Sequence, residues 1–495
     1  MATIAKMQRH YATVDAVPVP LVVDLDGTLT PTDTLVESVV AVIKASPLNL
    51  LRLPLWLLKG RSGFKEAVAS RATIVAARLP YCEPLLEYLR SEKAKGRPII
   101  LATAAHASIA HAVSDHLGLF DAVLATEGGR NLKGRAKLES ITERCGSEFI
   151  YAGDSKVDVP IWQAAKAAVL VGVGANTAAL VRRSVPVENE FAREGRGLKV
   201  WLRALRLHQW VKNLLLFVPL LTAFSFVEIG KLATMAVAFV AFSLAASATY
   251  IINDLHDLDA DRLHPRKRLR PFARARLPIL HGVIAAGACM TLALLLAFAV
   301  STHFLAMLLT YVVLTTAYSW ILKQQVLIDV LMLSLLYTLR ILAGSVAVGI
   351  PTSTWLLAFS VFIFLSLALV KRCAELVLLG KSGGDATRGR DYQVSDLVVL
   401  WPLGVGAALS AVVVFGLFIS APETQARYAS PQLLWLVAVG MIYWLARLWI
   451  KTSRGEMHDD PVIYALKDRG SRVTVLAMIT TMLFAHFLSL YHLGL

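Results

Sequence analysis

The sequence predicts a multidomain chain: a soluble α/β domain at the N-terminus, followed by an all-α domain embedded in a membrane. The chain has 495 residues, 56% of them hydrophobic, and a mean hydropathy of +0.59, which is too long for one ordinary domain and too apolar for a soluble protein. The first 200 residues mix charges, glycines and short apolar runs, whereas the part after Asn213 consists of long Leu, Ala, Val and Phe stretches. We therefore place the boundary near Arg193–Lys199, with domains over residues 15–195 and 203–495.

The compartment of the N-terminal domain follows from two absences in the sequence. Residues 1–20 lack the continuous apolar run of a secretory signal, so this domain is expected to stay in the cytoplasm. The four cysteines, at positions 82, 145, 289 and 373, show neither metal-ligand spacing nor a disulfide-like pattern. Such cysteines are expected in a reducing compartment or in the bilayer.

The C-terminal half is predicted to cross the membrane nine times. A spanning helix needs about 20 mostly apolar residues. The segments that meet this requirement are 213–229, 231–252, 278–300, 304–322, 326–349, 354–371, 397–420, 433–450 and 474–493.

The connections between these spans alternate in charge and predict the orientation. Lys and Arg number seven in 253–277, five in 371–396 and six in 447–473, whereas the intervening loops 301–303, 350–353 and 421–432 hold only Arg427. Basic loops face the cytoplasm, so we expect a multi-pass protein of the cell inner membrane with its C-terminus outside. The formal net charge of +15 reflects either this topology and anionic lipid or a phosphate-rich substrate; nucleic acid is not an expected partner.

One apolar stretch of the N-terminal domain, 35–58, is not expected to span the membrane. It is interrupted by Lys44, Pro47, Arg52 and Pro54. We interpret it as a helical cap of the soluble domain, placed to touch the membrane surface.

Polar side chains follow three apolar runs of the N-terminal domain. Residues 19–30 read VPLVVDLDGTLT, a buried strand that leads directly into Asp24 and Asp26. A second run, 98–102, ends in Thr103, and a third ends in Gly153-Asp154-Ser155, with Asp158 four residues beyond Asp154. Because ligands of α/β sheets bind at the carboxyl ends of the strands, we expect these groups to share one sheet edge.

This set of motifs resembles the haloacid dehalogenase (HAD) phosphohydrolase superfamily, over about residues 15–190. The resemblance implies a Rossmann-like fold with a helical cap and a Mg²⁺-dependent phosphatase. It makes Asp24 the nucleophile and Asp26 the general acid/base with a metal-binding carbonyl, and it makes Asp154 a metal ligand supported by Asp158. Mg²⁺ is needed because one anion attacks another.

The same resemblance assigns two further roles. Thr103 would bind the phosphoryl oxygens, and a lysine at a helix start would balance charge; Lys137 in GRAKLES is favoured over Lys133. The alternative is a Rossmann-like domain whose acidic loops only cap strands, or an inactive phosphatase that serves as a scaffold.

A second acidic cluster follows the second span, in NDLHDLDADRLHPRKRLRP. Asn253, Asp257 and Asp261 are spaced by four residues and share one helix face, with Asp254 beside it. Carboxylates at this spacing repel one another and the helix C-terminus, so we expect a cation, and oxygen ligands suit Mg²⁺ that bridges a diphosphate. The alternative is a solvated linker. Candidate phosphate-binding residues in the following basic run include Arg262, His264, Lys267, Arg268 and Arg270.

Several cations lie in or near the predicted spans, where charges are costly and usually functional. Arg340 is the clearest case, in the middle of a span within SLLYTLRILAGS. Lys371 and Arg372 end the sixth span, and Lys212 precedes the first. For the two lysines, snorkelling to the interface is an equally good explanation.

The membrane half resembles the UbiA superfamily, in which Mg²⁺-diphosphate is the leaving group. The motifs RLHQWVKN, NDLHDLDADRLHPRKRLRP, YSWILK, YTLRILAG and KRCAEL are similar to those of its decaprenyl-phosphate phosphoribosyltransferase branch, over about residues 203–495. A second aspartate-rich motif, usual in members that use prenyl diphosphates, is not evident between the sixth and seventh spans, which favours phosphoribosyl pyrophosphate as donor. The basic run continues as FARARL where a glycine-containing turn is common.

Together the two resemblances imply a bifunctional enzyme. The membrane half would transfer 5-phosphoribose from phosphoribosyl pyrophosphate to a polyprenyl phosphate, with Mg²⁺ on Asn253, Asp254, Asp257 and Asp261, and the HAD domain would then remove the 5-phosphate. The alternatives are a UbiA-type prenyltransferase that acts on an aromatic acceptor, and a membrane transporter or scaffold with an inactive HAD module. Chain length of the lipid, downstream pathway and oligomeric state do not follow from the sequence.

Overall fold

The computed structural model describes residues 18–127, 131–193, 195, 197–386, 390–457 and 460–488. Positions 15–17 of the expected soluble domain, the end of the last expected span at 489–493 and the C-terminus lie outside these residues. The chain forms two compact units: the first comprises Met1–Ala204 and Ile251–Ile284, and the second comprises Leu205–Tyr250 and Ala285–Leu495. The acidic segment after the second span thus belongs to the first unit.

The first unit is built on a parallel sheet of six strands, which confirms the expected α/β fold and adds the number of strands to it. The central strand β1 is the fully buried run Leu21–Val23, an apolar composition expected of a strand covered on both faces. The strand order is β3-β2-β1-β4-β5-β6, and every neighbouring pair is parallel. The remaining strands are Ile99–His106 (β2), Ala122–Thr126 (β3), Ile150–Gly153 (β4), Ala167–Val171 (β5) and Val187–Phe191 (β6).

Three helices between β1 and β2 form the cap, where the sequence predicts one. They are α1 (Thr34–Ala45), α2 (Asn49–Leu57) and α3 (Gly60–Ala69), and they enclose a small core of Val42, Trp56 and Val68. The other helices of this part are Glu83–Ala94 (α4), Ala107–Leu117 (α5), Arg135–Cys145 (α6), Val159–Ala164 (α7), Ala175–Ser184 (α8) and Leu198–Ala204 (α9).

The remaining chain is helical. Eight helices of the described residues are long and apolar enough to cross a membrane, namely α11, α13 to α17, α19 and α21, so the protein is an integral membrane protein. The helices in order are Val218–Thr222 (α10), Ile229–His256 (α11), Leu258–Leu263 (α12), Ile279–Val300 (α13), Thr302–Trp320 (α14), Ile328–Val348 (α15), Thr354–Lys381 (α16), Leu397–Ser420 (α17), Pro422–Arg427 (α18), Leu434–Ser453 (α19), Pro461–Lys467 (α20) and Arg469–Phe487 (α21).

The first expected span, 213–229, is not a continuous α-helix, which corrects the count of nine. Residues Leu207–Phe217 form a 3₁₀ helix, α10 has only five residues, and Phe224 has a φ of +54° that ends it. The 3₁₀ segment passes close to α15, because a Cβ added at Gly344 would overlap the carbonyl oxygen of Leu216. Glycine is therefore required at this approach of two backbones.

Candidate functional site

The predicted catalytic aspartates meet at one edge of the sheet. Asp24 follows β1 and Asp154 follows β4, and these strands are neighbours, so their carboxyl ends lie side by side. Carboxylate oxygens of Asp24, Asp154 and Asp158 all lie within 4.8 Å of one another. Three hard oxygen ligands this close fit a divalent cation such as Mg²⁺.

A buried chain of polar groups supports Asp24. Lys137, in the first turn of α6, places Nζ 2.9 Å from Asp24 Oδ2 and donates to the Tyr151 hydroxyl at 3.1 Å. Tyr151 in turn donates to Asp158 Oδ1 at 3.1 Å. The structure thus brings Lys137 onto the aspartate, whereas Lys133 lines the same cavity with an exposed side chain.

The acidic groups have perturbed pKa values because they are buried together. Burial, reinforced by Asp33, raises the pKa of Asp26 to about 7, although the Thr34 backbone N–H donates to its Oδ1 at 2.8 Å. Burial, with the charges of Asp158 and Asp24, raises the pKa of Asp154 to about 7. Carboxylates this close repel one another when ionised, and a bound cation would relieve this repulsion.

Glycine at position 27 allows the loops that follow β1 and β4 to approach each other closely. Its φ is +80°, and a Cβ at this position would overlap the carboxylate of Asp154. A side chain here would therefore both strain the backbone and displace a candidate metal ligand.

Thr103 lies differently from its predicted place at a strand end. The strand β2 continues to His106, and its pairing with β3 is irregular between Ala102 and His106. Thr103 is fully buried, and its Oγ1 accepts a hydrogen bond from the Ala105 N–H at 3.0 Å. Thr103 itself is not among the residues that line the cavity around Asp24, whereas its neighbours Ala104 and Ala105 are.

The sequence reasoning missed a lysine of the cap. Lys65 on α3 donates from Nζ to the Ala104 carbonyl at 2.6 Å and to Asn131 Oδ1 at 2.7 Å. Burial lowers its pKa, although Asp26 and Asp33 act in the opposite direction. No sequence motif marks this residue, because it reaches the site only through the fold of the cap.

One cavity of about 840 Å³ in the first unit is lined by Asp24, Asp26, Asp154, Asp158, Lys65 and Lys137. Its polar end contains Asp24, Asp26, Asp154 and Lys137. The lining also includes apolar side chains of the cap and of the segment that leads into α13, namely Leu57, Phe64, Leu277, Pro278, Ile279 and Leu280.

The acidic segment after the second span contains a break that the sequence analysis did not expect. The helix α11 ends at His256 and α12 begins at Leu258, with Asp257 between them. The backbone N–H of Asp257 still bonds to the Asn253 carbonyl at 2.9 Å, and that of Asp261 to the Asp257 carbonyl at 2.8 Å. The one-turn spacing of the three side chains therefore survives the break.

Asp254 and Asp261 both pair with the same arginine, Arg270. Arg270 Nη1 lies 3.1 Å from Asp254 Oδ1 and 2.6 Å from Asp261 Oδ2, and both carboxylates are almost fully buried. Asp261 Oδ1 is buried without a hydrogen-bond partner among the described residues. A buried carboxylate oxygen left without a donor fits a metal ligand.

The basic residues after this cluster differ in how deeply their side chains are buried. Arg262 bonds to Glu37 of α1 with Nη2–Oε1 at 2.5 Å, so it joins the acidic segment to the cap. His264, Lys267 and Arg268 are exposed, and His264 Nδ1 accepts the backbone N–H of Lys267 at 3.3 Å.

In the second unit, two of the predicted cations share an aspartate that the sequence analysis did not single out. Asp460, just before α20, lies 2.7 Å from Lys212 Nζ and 3.5 Å from Lys371 Nζ. Burial raises the pKa of Asp460, but the two lysines outweigh this effect and hold it below its ordinary value. The lysines are therefore held together rather than extended into the interface.

Arg340 is buried in the second unit and surrounded by aromatic rings. Its Nε donates to Asn213 Oδ1 at 3.0 Å and its Nη2 to the Tyr311 hydroxyl at 3.2 Å. The guanidinium carbon lies 5.4 Å from the ring centre of Tyr337, over whose ring Lys212 Nζ also lies, at 5.6 Å. Among the residues described for this unit, Arg340 pairs with no carboxylate, which leaves its charge available to an anion.

Arg372 has a different environment from the other predicted substrate-binding residues. Its side chain is fully buried and pairs with Asp329 and Glu375. The Tyr392 hydroxyl donates to the same Asp329 at 2.5 Å. This enclosed ion pair favours a structural role for Arg372.

Comparison with known protein families gives two matches. Residues 215–466 match the UbiA prenyltransferase family, and residues 21–163 match the haloacid dehalogenase-like hydrolases.

Relatives are found for both parts of the chain. Protein y4nM of Sinorhizobium fredii is 40% identical over 91% of this chain and 88% of its own length. Nodulation protein NoeC of Azorhizobium caulinodans is 35% identical over 57% of this chain and 92% of its own length. Decaprenyl-phosphate phosphoribosyltransferase of Mycolicibacterium smegmatis is 33% identical over 57% of this chain and 90% of its own length. Among solved structures, a UbiA homolog from Archaeoglobus fulgidus bound to GPP and Mg²⁺ matches 57% of this chain and 99% of that chain, with 16% identity and a TM-score of 0.44.

Proposed function

The chain belongs to the UbiA prenyltransferase family, and from this premise we propose that it makes a polyprenyl-phosphoryl-ribose in two steps. In the first step, 5-phosphoribose passes from phosphoribosyl pyrophosphate to a polyprenyl phosphate. In the second, the haloacid dehalogenase-like domain removes the 5-phosphate. Similarity to decaprenyl-phosphate phosphoribosyltransferase over almost the whole of that protein supports the choice of substrates.

For the transfer step, we assign the diphosphate end of the donor to the acidic segment. Asn253, Asp254, Asp257 and Asp261 supply oxygen ligands for Mg²⁺, which when bound offsets the charge of the departing pyrophosphate. Arg270, already poised between Asp254 and Asp261, would move onto the phosphates once these carboxylates hold the metal. The exposed His264, Lys267 and Arg268 extend the same basic surface.

For the acceptor, we assign the phosphate head to the cations of the second unit. Arg340, Lys212 and Lys371 are fixed by their neighbours before the lipid binds, so little side-chain entropy is lost on binding. A phosphate oxygen of the lipid attacks the anomeric carbon as the bond from that carbon to pyrophosphate breaks. The charge on the sugar in the transition state is positive, and water must be kept from it.

For the second step, the residues of the first unit supply the whole reaction. Asp24 attacks the phosphorus, and Asp26, whose pKa burial raises to about 7, gives a proton from its acid form to the leaving ribose oxygen. Asp26, now a base, takes a proton from the water that hydrolyses the aspartyl phosphate. Lys137 balances the charge on Asp24.

The observation that carries the two-step proposal is the complete carboxylate set of Asp24, Asp154 and Asp158 with Lys137 at 2.9 Å, in a chain whose other half is similar to a phosphoribosyltransferase. Asparagine at position 24 is nearly isosteric but a poor nucleophile. The Asp24→Asn protein should therefore consume phosphoribosyl pyrophosphate and accumulate the lipid-linked 5-phosphoribose, whereas wild type yields the dephosphorylated lipid. If wild type yields only the 5-phosphorylated lipid while hydrolysing other phosphomonoesters, the second step is wrong.

A further inference from the structure

The cavity of the phosphatase site is larger and more apolar than a small phosphate ester requires. Its volume of about 840 Å³ exceeds what a single phosphorylated ribose fills, and one part of its wall is formed by the apolar side chains of Leu57, Phe64, Leu277, Ile279 and Leu280. Apolar surface facing a wholly polar ligand would gain nothing from burial. The wall instead suits a substrate with a hydrocarbon portion next to its phosphate.

Two residues of this wall also face outward. Leu57 and Leu280 are each more than half exposed while they line the cavity. Leu280 lies in the first turn of α13, a helix apolar enough to span a membrane. The mouth of the cavity is therefore next to the point where a candidate span begins.

The helix that contributes Leu57 carries an unpartnered apolar face. Leu51 is 74% exposed and Leu58 is 83% exposed, and Arg52 and Lys59 on the same segment are exposed too. A short helix that combines exposed leucines with basic side chains lies at the surface of an anionic membrane. The exposed leucines of this segment are Leu48, Leu50, Leu51, Leu55, Leu57 and Leu58.

We propose that α2 is an interfacial helix that opens the phosphatase cavity to the bilayer, so that the site takes lipid-linked phosphomonoesters in preference to soluble ones. The phosphate reaches Asp24, and the start of the lipid chain lies along Leu57, Leu277 and Leu280. The occupant of the leucine face is the lipid surface itself. The proposal rests on the proposed second step for the identity of the substrate, but not for the position of α2.

Selectivity is tested with two substrates that share a head group. Polyprenyl-phosphoryl-5-phosphoribose, accumulated by the Asp24→Asn protein, is compared with ribose 5-phosphate for full-length protein in vesicles of phosphatidylcholine and phosphatidylglycerol. Wild type should favour the lipid by about 100-fold or more in kcat/KM, since several apolar contacts are added. Equal kcat/KM values would refute the lipid preference.

The role of α2 is tested with substitutions outside the cavity. Replacement of Leu51, Leu55 and Leu58 together by Gln should lower kcat/KM for the lipid about tenfold and leave hydrolysis of ribose 5-phosphate unchanged. The matched control is Leu180→Gln on α8, which is also exposed. A triple variant that behaves like this control would refute the interfacial role.

A measurement of depth separates this inference from the proposed function. An environment-sensitive dye on Leu55→Cys should be quenched by spin-labelled lipids, and one on Leu180→Cys should not, after subtraction of the signal from labelled parent protein. Absence of quenching at position 55 would refute the membrane position of α2 and leave the proposed second step unaffected. Quenching together with no turnover of the lipid-linked ester, in protein that hydrolyses ribose 5-phosphate, overturns the proposed second step and keeps α2 at the membrane.

Discussion

Replacing Asp257 by asparagine should abolish transfer and leave the fold intact. The Asp257 side chain is about one-third exposed, and its Oδ1 lies 3.2 Å from His256 Nδ1. Asparagine keeps the shape of the side chain but removes the charge that a cation requires. Loss of one such group from an active site lowers kcat about 10²–10³-fold, or about 3–4 kcal/mol in the barrier.

The same substitution at Asp261 should have a second effect. Asp261 is 1% exposed and lies 2.6 Å from Arg270. Arg270 is partly exposed and keeps Asp254 as a second partner, so loss of the Asp261 charge costs less than the ~3–5 kcal/mol of a fully buried pair. Asp261→Asn should therefore lose transfer and unfold at a lower temperature. The basic partner of Asp261 is Arg270, which lies in the loop that follows α12.

The assay measures transfer of labelled ribose into lipid, with phosphatase activity on a soluble ester as the control for folding. Asp259→Asn is the matched control, because Asp259 is 44% exposed and 4.0 Å from Lys44, and such a pair contributes about 0–1 kcal/mol. Near-normal transfer by Asp257→Asn, or an equal loss in Asp259→Asn, would refute the assigned metal site.

Three further predictions test the phosphatase site, the fold of the first unit and the topology. Lys137→Met should lower phosphatase kcat at least tenfold with transfer retained, whereas Lys133→Met, if it lost as much, would contradict the assignment of Lys137. Arg97→Met should destabilise the first unit at pH 7 by about 3–5 kcal/mol, because Arg97 pairs with Glu92 at 2.8 Å and with Glu188 at 2.6 Å. The pKa values of both glutamates are lowered, so this stabilisation is present above pH 4.5 and is lost as the pH falls through their folded-state pKa values. A difference in unfolding free energy between wild type and variant that does not change with pH would contradict this reasoning. We expect the short helical pieces of residues 207–227 to cross the membrane in place of a ninth continuous helix, so a reporter on the C-terminus should lie outside the cytoplasm and one on the N-terminus inside. Finding both on one side would mean that residues 207–227 do not cross the membrane.

The phosphatase site could be predicted from the sequence because its residues follow from sheet geometry. Asp24 and Asp154 each end a buried apolar run, and parallel strands that are neighbours bring such ends together. For the charge-balancing lysine, the expected position at a helix start limited the choice to Lys133 and Lys137. Only the tertiary contacts of Lys137 distinguish them: its Nζ lies 2.9 Å from Asp24 Oδ2, and Tyr151 lies between Lys137 and Asp158.

Residues that act through tertiary contacts were missed. Asp460 lies 248 positions from Lys212 along the chain, and Lys65 reaches Asn131 over 66 positions. Neither has a local pattern that differs from an ordinary surface charge. Burial and a partner define both, and these depend on the whole fold.

The first expected span shows a different limit of the sequence. Hydropathy over 213–229 is sufficient for a span, but hydropathy does not report backbone conformation. The close approach of Leu216 to Gly344 and the positive φ of Phe224 divide the segment into short pieces. Such contacts are set by the packing of helices distant in the sequence.

The most direct test of the two-step account uses phosphoribosyl pyrophosphate labelled in the ribose with ¹⁴C and at the 5-phosphate with ³²P. Purified wild-type protein is incubated with this donor, polyprenyl phosphate and Mg²⁺, and the lipid and aqueous phases are counted. The account predicts ¹⁴C in the lipid without ³²P, and ³²P released as inorganic phosphate, both dependent on polyprenyl phosphate. Absence of ¹⁴C from the lipid would contradict the account at its first step.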